Sequence, residues 1–372
     1  MKRRKIAYVH DWLVVHGGAE KVARGILDLI PEADVFSLID FLSDKDREAI
    51  LKGKKATTTF IQNLPFAKKL YRYYLPLFPY AIEQLDLRGY DLIISSSYSV
   101  AKGVLTTAEQ RHICYCHSPV RYAWDLYFDY LEDNHLTRGI KSWYIRKTLH
   151  KLRMWDYMAA QRVDYFIANS ENVAGRIRKT YRRDAEVIYP PVDLDNFSIS
   201  VEPRKNHYVT ASRMVPYKKM DIIIEAFNKM PDKELFVLGN GPDFKKLQKL
   251  AKENVHVMGH IGLKDLISYF QTAKAFVFAA KEDFGIVPVE AMACGTPIIA
   301  YNKGGALETV IEETGVFFDE QTDDSIIKAV RKFESKANSF SEDIIRKNAE
   351  KFSTQNFKDS IQNFIDKTSL HV

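Results

Sequence analysis

The chain has 372 residues, more than a single compact core usually holds, so we expect two domains. Hydrophobic residues make up 46% of it and charged residues 27%, the balance of a soluble globular protein, and no apolar run is long enough to span a bilayer. Three cysteines in so long a chain argue against a disulfide framework, and the apolar run at 6–9 is too short for a signal peptide. We therefore expect a cytoplasmic protein.

Apolar strand-like runs alternate with helix-like runs along the first half of the chain. Residues 19–30 place Val22, Ile26 and Leu29 on one face of a helix. Buried strands are predicted at 5–10, 34–39, 91–97 and 112–118. This alternation predicts parallel strands with helices on the faces of the sheet.

The alternation stops at 187–199, where a proline pair and acidic turn residues show no periodicity, so we expect a linker there. It then restarts, with strands predicted at 207–212, 234–239, 255–261, 275–280 and 297–301. The predicted fold class is α/β, with two Rossmann-like doubly wound parallel-sheet domains that face each other across a cleft. The first domain is expected at 1–190 and the second at 200–350. The last helix, about 353–372, is expected to return to the first domain through an apolar stripe of Phe357, Ile361 and Phe364.

Ligands of such sheets bind beyond the carboxyl ends of the strands, and the most informative strand end lies in 275–301. A buried strand is followed there by a helix that begins near Gly285, with Pro288 in its first turn. The amides of Gly285, Ile286 and Val287 form a helix N-terminus, which attracts phosphate through its free donors and partial positive charge. We therefore predict a phosphate site at this turn.

Two glutamates flank that helix start. Glu282 lies in the preceding loop and Glu290 lies inside the helix, so one carboxylate can face a sugar while the other accepts hydroxyls from a ribose. The run from Glu282 to Glu290, with Phe284 and Gly285 between them, resembles the E-x7-E motif of glycosyltransferase family 4, the retaining enzymes of GT-B fold. The resemblance covers essentially the whole chain and is weakest at 41–90. It implies that Glu282 contacts the transferred sugar, that Glu290 contacts the ribose, and that Phe284 belongs to the donor site.

Other candidate residues of the second domain also follow predicted strands. The resemblance assigns Arg213 and Lys218 to the diphosphate, where fixed cations stabilise a leaving group without a metal; a solvated basic turn is the alternative. Gly239 permits close approach of the backbone to a ligand. The resemblance implies that the loop of His260 and Ile261 holds the base, although a histidine without a role explains His260 equally well.

In the first domain, Gly17 and Gly18 join the first strand to the first helix, without the three-glycine turn of a dinucleotide-binding fingerprint. The resemblance implies that this glycine loop lies against the donor phosphates and the acceptor. His117 ends a strand, where a histidine is more often structural, but the resemblance places it against the transferred sugar. The sequence around 10–20 and 120–131 is similar to a mannosyltransferase-like branch of bacterial surface-polysaccharide biosynthesis.

The resemblance implies transfer with retention at the anomeric carbon, through a same-face displacement in which the leaving phosphate helps to deprotonate the acceptor. We predict no cofactor and no metal ion. The predicted partners are a nucleotide-sugar donor, with GDP-mannose as the hypothesis, and a saccharide or lipid-linked acceptor at the inner face of the plasma membrane. The alternatives are a UDP-sugar-dependent transferase of the same fold, a nucleotide-sugar epimerase and an inactive sugar-nucleotide-binding subunit.

Two stretches, 65–82 and 138–155, interleave cations with aromatic residues. Nucleic-acid binding, docking on an anionic membrane surface and a solvated helix face over an aromatic core all produce this pattern. We expect no nucleic-acid partner. The membrane surface and the solvated face stay open as interpretations.

Overall fold

The computed structural model describes residues 4–15 and 17–369. Contacts divide the chain into two compact units. Unit 1 runs to Pro190 and resumes at Phe357, and unit 2 comprises Pro191–Asn356. The boundary between Pro190 and Pro191 lies inside the segment 187–199 that has no periodicity in the sequence.

Unit 1 is built on a seven-stranded parallel sheet of order β3-β2-β1-β4-β5-β6-β7. Its strands are β1 Ile6–His10, β2 Asp34–Ser37, β3 Thr57–Thr58, β4 Leu92–Ser97, β5 Arg111–Cys116, β6 Tyr165–Ala168 and β7 Ala185–Val187. Its helices up to the boundary are α1 Gly18–Leu29, α2 Asp44–Leu51, α3 Ala67–Leu70, α4 Phe78–Ile82, α5 Tyr127–Asp133, α6 Gly139–Gln161 and α7 Glu171–Tyr181. The strands β3, β6 and β7 are additions to the sequence prediction. Strands β3 and β7 have only two and three residues, too few to show an apolar run, whereas β6 is a four-residue apolar run that the prediction missed.

Unit 2 is built on a six-stranded parallel sheet of order β10-β9-β8-β11-β12-β13. Its strands are β8 His207–Ala211, β9 Glu234–Leu238, β10 Val255–Gly259, β11 Ala275–Phe278, β12 Ile298–Tyr301 and β13 Gly315–Phe318. Its helices are α8 Met220–Asn228, α9 Phe244–Leu250, α10 Leu263–Thr272, α11 Ile286–Ala293, α12 Ala306–Thr309, α13 Asp323–Ser335 and α14 Glu342–Glu350. The predicted α/β class with two doubly wound parallel sheets is confirmed.

The last helix, α15 Thr354–Ser369, begins in unit 2 and continues in unit 1. Its apolar stripe of Phe357, Ile361 and Phe364 is buried in the same core cluster as Tyr8 of β1. Burying each side chain of this size contributes about 1.5–3 kcal/mol, which is enough to hold the returning helix on the sheet.

The strand β4 has an unusual polar end, because three buried serines follow its two isoleucines. Two of these hydroxyls have histidine partners: Ser95 Oγ lies 2.8 Å from His112 Nε2, and Ser96 Oγ lies 2.8 Å from His117 Nε2. A buried hydroxyl needs such a partner to offset its desolvation. The interior of unit 1 is therefore partly polar at this edge.

In the part of the chain that the structure describes, no helix combines the length and the apolarity needed to cross a bilayer. Cys114 and Cys116 are buried free thiols on β5, and Cys294 is a buried free thiol after α11. Groups of three or more histidine, cysteine, aspartate or glutamate side chains that could hold a metal ion are not found among the described residues.

Candidate functional site

The predicted phosphate site lies at the carboxyl edge of the sheet of unit 2, where the loop after β11 leads into α11. Gly285 precedes the helix with a φ of +88°, and a Cβ at this position would lie 3.4 Å from the ring of Phe278. No described side chain caps this helix end, and Pro288 in the first turn has no N–H to donate. The amides of Ile286 and Val287, both half-buried, are therefore available to an anion.

A second glycine pair fixes the loop that carries Glu282. The carbonyl oxygen of Glu282 accepts the N–H of Gly305 at 2.9 Å. A Cβ at Gly304 would lie 2.4 Å from the Glu282 carbonyl oxygen, and one at Gly305 would lie 2.4 Å from Phe284 Cα. Sequence reasoning missed both glycines, although a double glycine in the loop after the strand at 297–301 is a visible signal. They hold the loop before α11 in place.

Two of the predicted donor contacts touch each other. Lys218 ends a 3-10 turn, Pro216–Lys218, and its Nζ forms an ion pair with Glu282 Oε1. The two side chains are 14% and 23% exposed, so solvent and a ligand can both reach the pair. A cation and a carboxylate held together at an open helix start suit a ligand that is anionic on one side and polyhydroxylated on the other.

Arg213 lies in the loop after β8, and β8 is the neighbour of β11 in the sheet. Its side chain is exposed, and no carboxylate among residues 4–15 and 17–369 forms an ion pair with it. The loop itself is held by the neighbouring strand end: Ser212 N donates to Leu238 O at 3.0 Å, and Met214 N donates to Asn240 O at 2.9 Å. An exposed guanidinium on a fixed loop is free to bind an anion.

Gly239 has a structural reason of its own. Its φ is +129°, and a Cβ there would lie 1.9 Å from the backbone oxygen of Ser212. The close approach that this glycine permits is therefore to the loop of Arg213. Its N–H donates to Gly259 O at 2.8 Å, which joins the ends of β9 and β10. A donor contact at Gly239 stays a prediction.

Four further predicted donor residues of unit 2 differ in accessibility. The ring of Phe284 is buried and packs edge-to-face on Phe352 at 5.4 Å, so a donor contact there would come from its backbone. Glu290 is buried one turn inside α11. His260 is exposed, and Ile261 lines a groove of about 740 Å³ whose lining residues include Phe236 but none of the charged residues at the helix start. The structure thus brings Lys218, Glu282 and the opening of α11 together and leaves the base site undefined.

In unit 1, the glycine loop begins α1. Gly17 is the residue before the helix, and its N–H donates to the carboxylate of Glu20 at 2.9 Å. Glu20 Oε1 lies 3.5 Å from His10 Nε2, deep in the unit. Burial raises the pKa of Glu20, but the nearby imidazole of His10 and hydrogen bonds from backbone amides outweigh this effect, so the pKa lies below its usual value. The buried carboxylate fixes Gly17 and Gly18 against the end of β1.

His117 follows β5 and is half-buried. Its ring lies 5.1 Å from that of Tyr115 and 5.9 Å from that of Tyr98, and Ser96 Oγ is 2.8 Å from its Nε2. Burial lowers the pKa of His117 to about 3, with a further contribution from nearby His10. At neutral pH the imidazole is therefore uncharged, and it offers a ligand a hydrogen bond without a positive charge.

Sequence reasoning missed the role of Asp11. This carboxylate is fully buried and accepts four backbone N–H groups at 2.6 to 2.8 Å, those of Tyr98, Ser99, Val100 and Ala101. It fixes the loop after β4, which carries the Tyr98 ring against His117. Burial raises the pKa of Asp11, and the four amides and nearby cations oppose that rise. The only signal in the sequence is an aspartate directly after a buried strand.

Both halves of the chain are similar to known glycosyltransferases. A family model described as Glycosyltransferase Family 4 matches residues 16–196, and one described as Glycosyl transferases group 1 matches residues 193–352. A GDP-mannose-dependent monoacylated alpha-(1-6)-phosphatidylinositol monomannoside mannosyltransferase of Corynebacterium glutamicum is 37% identical over 28% of this chain and 32% of its own length. A GDP-mannose-dependent alpha-(1-6)-phosphatidylinositol monomannoside mannosyltransferase of Mycolicibacterium smegmatis is 32% identical over 39% of this chain and 46% of its own length.

The chain thus matches between about a third and a half of the length of these two relatives. Among solved structures, HepE of Anabaena in complex with UDP has a TM-score of 0.71 at 17% identity, covering 98% of this chain and 100% of that one. At that identity the likeness shows the fold alone. The two family models together span residues 16–352, and with two parallel-sheet α/β units in the GT-B arrangement of strands the chain belongs to the glycosyltransferases of family 4.

Proposed function

We propose that this glycosyltransferase moves mannose from GDP-mannose to a lipid-linked saccharide, with retention of the anomeric configuration and without a metal ion. The observation that carries the proposal is the ion pair of Lys218 and Glu282 beside the open start of α11. It puts a cation for the diphosphate and a carboxylate for the sugar hydroxyls at one point of the sheet edge.

Each group has a role in the proposed reaction. The acceptor oxygen forms a bond to the anomeric carbon as the bond from that carbon to the phosphate oxygen breaks, and the acceptor proton passes to the leaving phosphate. Negative charge builds up on the diphosphate, and Lys218, Arg213 and the amides of Ile286 and Val287 stabilise it. Glu282 orients the sugar through its hydroxyls and forms no covalent bond to it. Glu290 accepts hydrogen bonds from the ribose.

The ion pair gives donor binding a specific consequence. Phosphate oxygens compete with the Glu282 carboxylate for the ammonium group of Lys218, because both are anionic acceptors of the same donors. As Lys218 turns to the diphosphate, the Glu282 carboxylate is released and can accept hydrogen bonds from the hydroxyls of the sugar. When a nucleotide without a sugar binds, Glu282 therefore loses Lys218 and gains no new partner. When the complete donor binds, the sugar hydroxyls take the place of Lys218.

The choice of donor and acceptor is supported by the names of the relatives. Two of them are named as GDP-mannose-dependent, and both act on a phosphatidylinositol monomannoside, an acceptor that carries a lipid. A lipid-linked acceptor would place this chain at the inner face of the plasma membrane as a peripheral protein.

Isothermal titration with GDP-mannose, UDP-glucose and ADP-glucose tests the donor. We expect binding of GDP-mannose at least about tenfold tighter than either competitor, a difference of about 1.4 kcal/mol. Tight binding of UDP-glucose with no response to GDP-mannose would replace the donor in this proposal by a UDP-sugar.

Product analysis by mass spectrometry tests the reaction class. Release of GDP with a mannose added to the acceptor supports a transferase. Conversion of the nucleotide sugar into an isomer would identify an epimerase, and binding with no turnover of any acceptor would identify a binding subunit.

A further inference from the structure

The helix α6 in unit 1 has an outer face that is both apolar and cationic. Its exposed apolar side chains include Ile140 and Trp143, which are 87% and 60% exposed, and four more at Tyr144, Met154, Tyr157 and Met158. Its exposed cations are Lys141, Lys147 and Lys151, while Arg146 and Arg153 are half-buried against the ring of Tyr127. A helix that packs against a core would bury its large apolar residues, so this face is built for a contact.

The single acidic residue of α6 does not offset these cations at the surface. Asp156 is fully buried, and its Oδ1 lies 2.5 Å from the equally buried Nζ of Lys102. Its Oδ2 accepts hydrogen bonds from Trp124 Nε1 at 2.7 Å and from the hydroxyl of Tyr181 at 2.8 Å. The exposed side of α6, all of which is described, therefore carries positive charge without a carboxylate.

The segment 66–80 has the same character. Phe66, Tyr73 and Tyr80 are 76%, 80% and 60% exposed, and Leu70 and Leu77 are exposed as well. The segment contains no acidic residue. It contains three cations, Lys68, Lys69 and Arg72. Two separate parts of the chain thus present the same chemistry.

A groove joins these two parts into one surface. It has a volume of about 570 Å³, with Leu75, Pro76 and Pro79 on one side and Trp143 and Lys147 among the residues on the other. The ammonium group of Lys147 lies 5.0 Å from the centre of the Trp143 ring. We call the outer face of α6 together with 66–80 the α6 surface.

We propose that the α6 surface docks on an anionic phospholipid bilayer. Lysine side chains reach the phosphates of the headgroups, while the exposed aromatic and aliphatic side chains enter the boundary between headgroups and acyl chains. Aliphatic side chains such as Ile140 distinguish this surface from a nucleic-acid site, where stacking aromatics and cations suffice. Docking on a bilayer rests on the proposed function only in that it would bring the chain to a lipid-linked acceptor. The docking itself requires no nucleotide-sugar donor.

Sedimentation with vesicles tests the docking. The purified full chain is expected to bind vesicles of phosphatidylcholine with phosphatidylglycerol but not vesicles of phosphatidylcholine alone. It is expected to dissociate from the anionic vesicles as the salt concentration is raised, because salt screens the attraction between cations and headgroups. Equal binding to both vesicles, or binding to neither, would overturn the proposal. Displacement of the vesicles by a short RNA at low concentration would also overturn it in favour of a nucleic-acid surface.

A charge-reversal variant and its matched control localise the contact. Lys141→Glu, Lys147→Glu and Lys151→Glu together are expected to weaken binding to anionic vesicles by at least about 100-fold, since each lysine near such a surface contributes about 1 kcal/mol. The control makes the same change of charge on α9 of unit 2, where three exposed lysines have no exposed aromatic neighbour on their helix: Lys245, Lys246 and Lys249. Equal loss in both variants would show attraction by net charge alone and would refute a localised surface.

An apolar pair tests the other half of the contact. Ile140→Ser with Trp143→Ser is expected to weaken binding about tenfold or more, whereas Val201→Ser with Ile344→Ser on unit 2, also exposed, is expected to leave it unchanged.

Donor titration of the charge-reversal variant separates the two proposals. Lost vesicle binding with normal GDP-mannose binding supports the α6 surface, normal vesicle binding in that variant refutes it, and vesicle binding by a chain that takes up no nucleotide sugar refutes only the proposed function.

Discussion

The two units hold their candidate site residues in different ways. In unit 2, loops approach each other so closely that glycine is required: Gly239 lies against Ser212, and Gly305 lies against Phe284. In unit 1, the corresponding loops are held by buried charged side chains, such as Asp11 with its four amide donors. Where loops are held by close backbone contacts, an exposed cation beside them can be replaced without disturbing the fold. Where loops are held by a buried charge, stability depends on every partner in its hydrogen-bond network.

The buried pair of Lys102 and Asp156 is where unit 1 is expected to be most sensitive. Asp156→Ala leaves a fully buried ammonium group without its partner, so the free energy of unfolding is expected to fall by about 3–5 kcal/mol. Urea unfolding followed by circular dichroism measures this. As a control, Asp184→Ala removes an exposed partner of Arg178 and is expected to leave the midpoint unchanged. Equal effects of the two variants would contradict the difference between buried and exposed pairs.

In unit 2, loss of a charge is expected to affect the reaction and not the fold. Lys218→Met and Glu282→Gln should each lower kcat/KM for transfer about 10²- to 10³-fold, because each removes a group that acts on the donor. Release of nucleoside diphosphate measures the rate. Lys219→Met, one residue away, is the control and should retain activity. Unchanged turnover in Lys218→Met would remove that residue from the mechanism.

The glycine bracing of unit 2 can be tested without touching a charge. Gly305→Ala places a Cβ 2.4 Å from Phe284, so the loop before α11 must shift; we expect a loss of stability of about 1–3 kcal/mol and weaker donor binding. Thermal unfolding and isothermal titration measure the two effects. Gly89→Ala, where nothing lies within 4 Å of the added Cβ, is the matched control. A Gly305→Ala variant that binds donor normally would show that the loop is not held by this contact.

The last prediction concerns the neutral histidine of unit 1, whose titration affects stability only at acid pH. The pKa of His117 is about 3 in the fold and near 6.5 when unfolded, so the unfolded chain binds the proton first. Stability is therefore present above pH 6.5 and falls as the pH is lowered towards 3, by up to about 1.4 kcal/mol per pH unit. His117→Gln should make this decline shallower, as measured by urea unfolding across that range. An identical pH profile in the variant would mean that folding does not lower the pKa of His117.

The contrast between the units also explains what the sequence could predict. The alternation of apolar runs predicted both parallel sheets, and the glycine and proline around α11 predicted its start, because backbone requirements restrict the residue type at a position. The glycine pair at 304–305 was visible in the same way and was missed. Roles of donor residues were inferred from the family resemblance and stay predictions.

Buried polar networks leave no comparable signal. Nothing in the pattern around Asp11, Lys102 or Asp156 shows that these charges lie inside the protein, since the same residues on a surface would give the same sequence. The basic and aromatic stretches were ambiguous for the same reason. Only the exposure of Trp143 and Ile140 in the fold separates a surface for contact from an aromatic core.

A crystal structure of the chain with a GDP-mannose analogue tests the central claim most directly. We predict diphosphate oxygens within hydrogen-bond distance of Lys218 Nζ, the Arg213 guanidinium and the amides of Ile286 and Val287, with Glu282 turned from Lys218 to the sugar. A diphosphate bound elsewhere, with the ion pair of Lys218 and Glu282 intact, would contradict the account.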